Sequence, residues 1–505
     1  MKKSPLFLIF VAFYPSLALL SVNIREVRFS VIGRPMVLSL VLMTILYLFV
    51  LLFIRKMNKA AIISSIIFIY FFVYGHLYTY LLNQNMGKPN RVLITVGIAL
   101  FIFIVWIIRR PEISSSTLFN INLISIMFVA LPLFSIFQFY FSQNMLMRKK
   151  IETQAKPPAR SPDVYYIILD AYTREDTLNE LGFDNSEFLD ELREIGFYVA
   201  NCSTSNYSNT ANSMATTLNM NYLWEVIPQK NAKDTGTTAL FASIKNSYVE
   251  NYFRDLGYKF VAFETGGHWL NMDDADFFFK PDNIYFWSET LLPFEDLFIK
   301  TTILKPFIER EIIDLRINDT DFSQFIIHHK TIHYALDTLP SVAQIDEPTF
   351  TYFHILVPHP PFSFLPDGSF NPDPNYYNDK TGSGYGISRE HNVTGYVNNV
   401  KFANSRILNV VKKLIKDSEI PPVIIIQGDH GMPFIEGKAF NILNAYYLPN
   451  VDSTVLYPNI SPVNSFRIVF NEYFDEEFET LDDVNVRADM GYPFRKNIKE
   501  PSPCP

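Results

Sequence analysis

The chain contains few of the residues on which several protein classes depend. Its 505 residues include only two cysteines, Cys202 and Cys504, so the framework of bridges that holds small secreted domains together is excluded. Whether the two cysteines pair with each other stays open at this point. Only 19% of the residues are charged, and the net charge of -8 argues against a nucleic-acid partner. No internal repeat is visible.

Apolar residues make up 49% of the chain and are concentrated near its beginning. Five apolar stretches each approach the ~20 residues that a bilayer-crossing helix requires, and they cover residues 5–23, 36–54, 61–83, 92–108 and 118–143. The first stretch follows two lysines and could be a signal peptide, but the four later stretches favour an uncleaved anchor. We therefore predict a membrane domain of five helices over residues 1–145.

Basic residues at the ends of these stretches predict an orientation. One set of ends carries Lys2, Lys3, Arg55, Lys56, Lys59, Arg109 and Arg110, and the other carries fewer basic residues, namely Arg25, Arg28, Arg34, Lys88 and Arg91. Because basic residues accumulate on the cytoplasmic side, the first set predicts a cytoplasmic amino terminus. With five spans, everything after about residue 144 would face outward from a bacterial inner (plasma) membrane.

The composition changes after the last apolar stretch. Residues 146–160 carry a basic cluster and two prolines, which predicts a linker. From about residue 161 to 505 the chain is rich in Asp, Asn, Tyr and Phe and is long enough for one sizeable core. We predict an α/β domain with a mostly parallel central sheet here.

An Asp-His pair at the end of a strand is the most informative motif. The run Val423–Gln427 is continuously apolar and β-branched until its last residue, and Gly428-Asp429-His430-Gly431 follows it. Such a run is typical of a strand buried on both faces of a parallel sheet, and ligands bind at the carboxyl ends of these strands. A carboxylate and an imidazole there could share a divalent ion, although a hydrogen-bonded turn would use the same residues.

Two further residues carry candidate chemistry. Asp170 follows a second predicted strand, residues 164–169, where an Asp often caps the next helix instead. Thr210 lies in Thr-Ala-Asn-Ser at the start of a predicted helix. A threonine there can serve as cap, as nucleophile or as both, because the helix dipole favours an anion at that point.

The order of these motifs resembles the alkaline phosphatase superfamily. Asp170, Thr210, the segment His354-Ile-Leu-Val-Pro-His359 and Gly-Asp429-His430-Gly follow one another as in its membrane-anchored, sulfatase-like branch. That branch contains phosphoethanolamine transferases and lipoteichoic acid synthases, which have five amino-terminal spans and an outward catalytic domain. The resemblance covers most of the chain.

The resemblance implies a role for each matching residue. It assigns Asp170, Thr210, Asp429 and His430 to one divalent metal, Zn or Mn, with Thr210 also the nucleophile. It assigns His359 to the substrate phosphate or the leaving group. It further implies transfer of a phospho-alcohol headgroup from a membrane phospholipid to an envelope glycan or lipid. A hydrolase that uses water, or a scaffold in envelope assembly that has lost catalysis, would carry the same fold.

Some residues depart from the family pattern. Phosphoethanolamine transferases and lipoteichoic acid synthases have Glu where this chain has Asp170, and no histidine follows His430. The Cys/Ser-x-Pro-x-Arg signature of arylsulfatases is absent around Cys202, which argues against true sulfatase activity. We interpret His354 as a histidine that is packed in the core or that supports a metal ligand, and His328, His329 and His333 as a solvated helix face.

Overall fold

The computed structural model describes residues 4–24, 27, 29–84, 86–110, 112–145, 161–264, 270–281, 291–310, 312, 323–377, 388–432, 437–489 and 492–499. Several predictions from the sequence lie outside these described residues: the linker 146–160, the basic residues Lys2, Lys3, Arg25 and Arg28, and Cys504.

Apolar helices form the amino-terminal part of the chain. They are α1 (Phe7–Asn23), α2 (Gly33–Ile54), α3 (Met57–Asn83), α4 (Pro89–Arg109) and α5 (Ser115–Met145). Among the described residues, α2 to α5 supply four spans that are long and apolar enough to cross a membrane, while α1 is shorter at 17 residues. Leu52 and Phe53 each keep 72% of their surface exposed, as side chains that face lipid do. The chain is a membrane protein.

The chain divides into two compact units, and their limits do not follow the sequence simply. One unit contains Met1–Met145 together with Asn283–Gln324, and the other contains Leu146–Asp282 and Phe325–Pro505. In the first unit, α12 (Pro293–Lys300) and α13 (Lys305–Ile308) accompany the membrane helices. No change of composition marks this later segment, which is why the predicted catalytic domain, residues 161–505, includes it.

Close packing joins the later segment to the membrane helices within the first unit. The side chains of Phe294 and Phe298 are buried in its apolar clusters. The Gly75 amide in α3 donates a hydrogen bond of 2.8 Å to the Thr301 carbonyl. A Cβ atom at Gly75 would lie only 2.2 Å from the Lys300 carbonyl oxygen, so this approach requires glycine.

A seven-stranded sheet organises the second unit. Its strands are β1 (Val164–Leu169), β2 (Tyr198–Val199), β3 (Lys259–Phe263), β4 (Phe277–Phe279), β5 (Thr349–Ile355), β6 (Val423–Gln427) and β7 (Asn444–Tyr447). Their order is β2-β7-β6-β1-β5-β3-β4, and every pairing from β6 to β4 is parallel. The predicted α/β class with a mostly parallel sheet is confirmed.

The other elements of this unit surround the sheet or form a separate hairpin. The helices are α6 (Glu175–Glu180), α7 (Ser186–Ile195), α8 (Thr210–Thr217), α9 (Leu223–Val226), α10 (Thr238–Lys245), α11 (Tyr248–Asp255), α14 (Ser323–Thr338), α15 (Arg389–Asp417) and α16 (Pro462–Phe474). The hairpin consists of β8 (Asn485–Asp489) and β9 (Tyr492–Lys499).

The central strand β1 fixes where the chemistry-bearing residues meet. Every residue of β1 and β6 is buried, which explains why both strands are almost entirely apolar. Ile168 pairs with His354 of β5 on one side and with Gln427 of β6 on the other. The three strands therefore end at one edge of the sheet, where Asp170 and the Asp-His pair follow.

Candidate metal centre

Two carboxylates and one imidazole converge at the carboxyl edge of the sheet. One ligand atom each from Asp170, Asp429 and His430 lies within 4.8 Å of the others, and all three residues are buried. The His430 Nε2 atom is 3.6 Å from Asp170 Oδ1 and 3.7 Å from Asp429 Oδ2. The structure thus brings together three of the four predicted metal ligands.

The atoms that converge are those that lack other partners. Asp170 Oδ1 and Asp429 Oδ2 are buried, and neither has a hydrogen-bond partner in the part of the chain that the structure describes. His430 Nδ1 is 2.7 Å from the Gly431 carbonyl and donates to it, so Nε2 is the ring nitrogen that faces the carboxylates. Two buried, unsatisfied oxygens and an imidazole nitrogen are the donor set that a divalent ion takes in proteins. The site fits a divalent metal.

The charges at this site support one another. Burial opposes ionisation of Asp170, but His359, His354 and His430 together hold the pKa of that carboxyl well below its usual range. Burial also opposes protonation of His430, yet Asp429 and Asp170 raise its pKa. Both effects express the same fact: two neighbouring buried carboxylates require positive charge beside them.

A strained turn after β1 orients the carboxylates of Asp170 and Asp429. Ala171 has a φ of 60°, an unusual value for a residue with a side chain, and its amide donates to Asp429 Oδ1 over 2.9 Å. Tyr396 of α15 braces this turn, because its hydroxyl donates to the Ala171 carbonyl and accepts from the Thr173 amide. The same turn therefore fixes one oxygen of Asp429 and leaves the other directed at His430.

The two glycines of Gly-Asp-His-Gly permit close backbone packing around the ligands. A Cβ atom at Gly428 would lie 2.4 Å from the Tyr172 carbonyl oxygen, and one at Gly431 would lie 2.3 Å from that of Lys438. Any larger residue would displace the turns that flank Asp429 and His430.

His354 lies directly behind Asp170. It is fully buried, its Nε2 is 3.4 Å from Asp170 Oδ2, and its Nδ1 is 3.0 Å from the Tyr352 hydroxyl. It is therefore a packed histidine, as predicted, and one that contacts a predicted ligand. Tyr352 is not among the predicted site residues, although the two-residue alternation of a strand places it on the same face as His354.

His359 lies beside the cluster on the loop after β5. Its amide donates to the Asp170 carbonyl over 3.0 Å, and its ring centre is 6.3 Å from that of His430. The ring is half-buried, and its Nδ1 donates to the Pro360 carbonyl over 2.6 Å. The predicted phosphate or leaving-group histidine is thus close to the three ligands but still accessible to a substrate.

Thr210 is the first residue of α8, and Asn209 takes the role of its cap. The Asn209 side chain accepts a hydrogen bond of 3.0 Å from the Asn212 amide, so the cap function considered for Thr210 belongs to its neighbour. The Ser213 hydroxyl, one turn after Thr210, donates to the Asp429 carbonyl over 2.6 Å. The helix is therefore fastened to the metal centre by the face that carries the half-buried Thr210.

The histidines of α14 form a separate cluster, and the prediction of a solvated face is wrong. His328 is buried, with Nε2 and Nδ1 each 3.2 Å from the Leu356 carbonyl and the Ser363 hydroxyl, respectively. His329 and His333 both contact the Gly368 carbonyl, at 2.9 and 2.8 Å. Hydrogen bonds to a neighbouring loop draw them inward, and burial lowers the pKa of His328 to about 4.

Cys202 is engaged in a disulfide. The other cysteine of the sequence, Cys504, lies outside the described residues.

Comparison with known proteins identifies the family. The family model described as Sulfatase matches residues 162–451, which is more than half of the chain and includes all the predicted site residues. The chain belongs to the sulfatase family. It is an enzyme of the alkaline phosphatase superfamily, as the motif order predicted. No relative is found among curated protein sequences.

Several solved structures are similar at low identity. The carboxy-terminal periplasmic domain of EcEptC from Escherichia coli, in complex with Zn, is 13% identical with a TM-score of 0.39, covering 69% of this chain and 94% of its own. The putative sulfatase yidJ from Bacteroides fragilis is 13% identical with a TM-score of 0.37, covering 64% and 76%.

A membrane protein is also among them. The integral membrane lipooligosaccharide phosphoethanolamine transferase A from Neisseria meningitidis is 11% identical with a TM-score of 0.36, covering 92% of this chain and 95% of its own.

Proposed function

We propose that the protein transfers a phospho-alcohol headgroup from a membrane phospholipid to an envelope glycan or lipid, through a phospho-threonine at Thr210. Asp170, Asp429, His430 and Thr210 would hold one divalent metal, Zn or Mn. The catalytic part, residues 161–505, would face outward from the inner membrane and be connected to helices 1–145 by the linker 146–160. These helices would keep the site near its lipid donor.

One observation carries the proposal: the unsatisfied oxygens of Asp170 and Asp429 and the Nε2 atom of His430 face a common point. The hydrogen bond from Ser213 to Asp429 fastens the first turn of α8 to that centre. Because Asn209 caps the helix, the Thr210 hydroxyl is not required as the cap. These contacts support Thr210 as the nucleophile.

The proposed chemistry has two steps. The Thr210 hydroxyl gives its proton to solvent and its oxygen attacks phosphorus, the bond from phosphorus to the diacylglycerol oxygen breaks, and protonated His359 supplies a proton to that oxygen. The acceptor hydroxyl then gives its proton to His359 and attacks the phosphorus of the phospho-threonine. The bond from phosphorus to the Thr210 oxygen breaks, and that oxygen takes up a proton from solvent, which restores Thr210. A divalent metal bound there would lower the pKa of the Thr210 hydroxyl and would stabilise negative charge on the phosphoryl oxygens.

Intact-mass measurement tests the covalent step. The full chain in uncharged detergent is incubated with mixed phospholipids and Zn or Mn, beside Thr210→Ala and, as a matched control, Thr216→Ala on the same helix. A mass increase in the wild type and in Thr216→Ala, but not in Thr210→Ala, is the expected result. An adduct that persists in Thr210→Ala would exclude Thr210 as nucleophile.

A hydrolase that uses water is the second candidate, and membership of the sulfatase family favours it. The same ligands would serve both reactions, so the acceptor distinguishes them. Product analysis with and without an added alcohol decides between them: a phosphodiester of the added alcohol indicates a transferase, whereas a free phospho-alcohol at an unchanged rate indicates a hydrolase.

A further inference from the structure

A hollow lies next to the helix that carries Thr210. It opens to solvent and is formed by α9, the residues after it and strand β9. Its described lining residues are Tyr207, Leu223, Trp224, Ile227, Lys230, Pro493, Phe494, Arg495 and Lys496. We call it the Trp224 pocket.

The pocket is attached to the proposed catalytic helix. The Asn212 side-chain amide donates a hydrogen bond of 2.8 Å to the Pro493 carbonyl, and both groups are buried there. Asn212 is two residues after Thr210, which corresponds to about 3 Å along a helix axis. One wall of the pocket is therefore fixed to the turn that carries the proposed nucleophile.

The lining combines positive charge with apolar surface. Lys230, Arg495 and Lys496 line the pocket, and none of the described lining residues is acidic. The Arg495 guanidinium lies over the Tyr492 ring, 4.3 Å from its centre, so Lys230 and Lys496 are the cations on which the argument depends. Leu223, Ile227 and Phe494 supply apolar walls. Such a lining suits an anionic group attached to an apolar or ring-shaped moiety.

Trp224 holds one of these cations in place. The Lys496 Nζ atom lies 3.9 Å from the centre of the Trp224 ring, and the ring also stacks on Tyr222, with 4.7 Å between centres and 4° between planes. A cation over an aromatic face is attracted by the negative face of the ring. The ammonium is thus positioned at the pocket without a carboxylate to neutralise it among the lining residues.

We propose that the Trp224 pocket binds a phosphate group of the substrate, with the moiety that carries this phosphate resting on the apolar walls. This proposal rests on the proposed function and adds to it a second contact, distinct from the metal centre, that would orient the substrate toward Thr210. The phosphate could belong to a lipid or to a sugar, and the chemistry of recognition is the same for both.

Calorimetric titration of the full chain in uncharged detergent tests the pocket. All measurements use the Thr210→Ala background, so that binding is observed without turnover and independently of the proposed covalent step. The probes are dihexanoyl phosphatidic acid, glucose 6-phosphate and inorganic phosphate. The variant is Lys230→Gln with Lys496→Gln, and the control is Lys413→Gln with Lys416→Gln, which removes two charges from α15.

The expected result is a dissociation constant at least about tenfold higher in the pocket variant for one organic phosphate, and an unchanged constant in the control. If the pocket variant weakens binding of phosphatidic acid, the phosphate that the pocket binds belongs to a lipid. If it weakens binding of glucose 6-phosphate, that phosphate belongs to a glycan. Equal affinity in pocket variant and control for both organic probes would overturn the proposal, as would inorganic phosphate binding as tightly as either. If the threonine adduct fails to form while pocket binding persists, the proposed function fails alone.

Discussion

Two histidine clusters in the second unit have similar sequence signals and different surroundings. His430, His354 and His359 surround the buried carboxylates Asp170 and Asp429. The histidines of α14 instead contact backbone carbonyls and a serine hydroxyl. In the first cluster unsatisfied oxygens need a cation, whereas in the second each polar contact is already a hydrogen bond. Carboxylates, rather than the spacing of histidines, therefore distinguish a metal centre from a structural cluster.

The largest effect should come from removing one carboxylate of the first cluster. Asp429→Asn removes a negative charge that a divalent metal would need at this site. We therefore expect loss of stoichiometric metal and a decrease in activity of at least about 10³-fold. Metal content by mass spectrometry and turnover of phospholipid measure the two effects. His333→Gln in the second cluster should keep both, and a metal-free His333→Gln would contradict the distinction between the clusters.

The α14 cluster should instead affect stability as a function of pH. His328 has a pKa of about 4 in the folded protein, because burial disfavours its charge, and its ordinary value is 6.5. The unfolded chain therefore binds a proton that the folded chain does not as pH falls from 6.5 toward 4. The contribution of neutral His328 to the free energy of unfolding is fully present above pH 6.5. It decreases by about 3 kcal/mol as the pH falls from 6.5 to 4.

Thermal unfolding of wild type and His328→Gln between pH 4 and pH 7 measures this contribution. The melting temperature of the variant should fall less between pH 7 and pH 4 than that of the wild type does. His391→Gln, at the first turn of α15, controls for loss of an imidazole elsewhere. Parallel pH curves for wild type and His328→Gln would contradict the assignment.

Sequence and structure agree most closely where a pattern has one physical meaning. The apolar runs 164–169 and 423–427 could be buried only as central strands, and the residues after them could meet only at the carboxyl edge. The burial of the α14 histidines could not be predicted, because it depends on carbonyls contributed by the loop after β5. The packing of residues 283–324 with the membrane helices could not be predicted either, since it depends on contacts between distant parts of the sequence, such as the hydrogen bond from Gly75 to Thr301.

The smallest effect on the metal centre should come from substituting His354. This side chain contacts the proposed ligand Asp170 but does not itself face the proposed metal position. Its Nε2 lies 3.4 Å from Asp170 Oδ2, the oxygen not directed at His430, so it would hold the carboxylate in orientation. We expect His354→Gln to weaken metal binding by roughly 10–100-fold, as residues behind a ligand do. Competition with a chelator measures the affinity.

Tyr352→Phe removes only the hydrogen bond to His354 Nδ1. This variant should change the affinity for the metal by a few-fold, about 1 kcal/mol. If Tyr352→Phe weakened binding as much as His354→Gln, the orientation of the imidazole rather than its contact with Asp170 would determine the affinity.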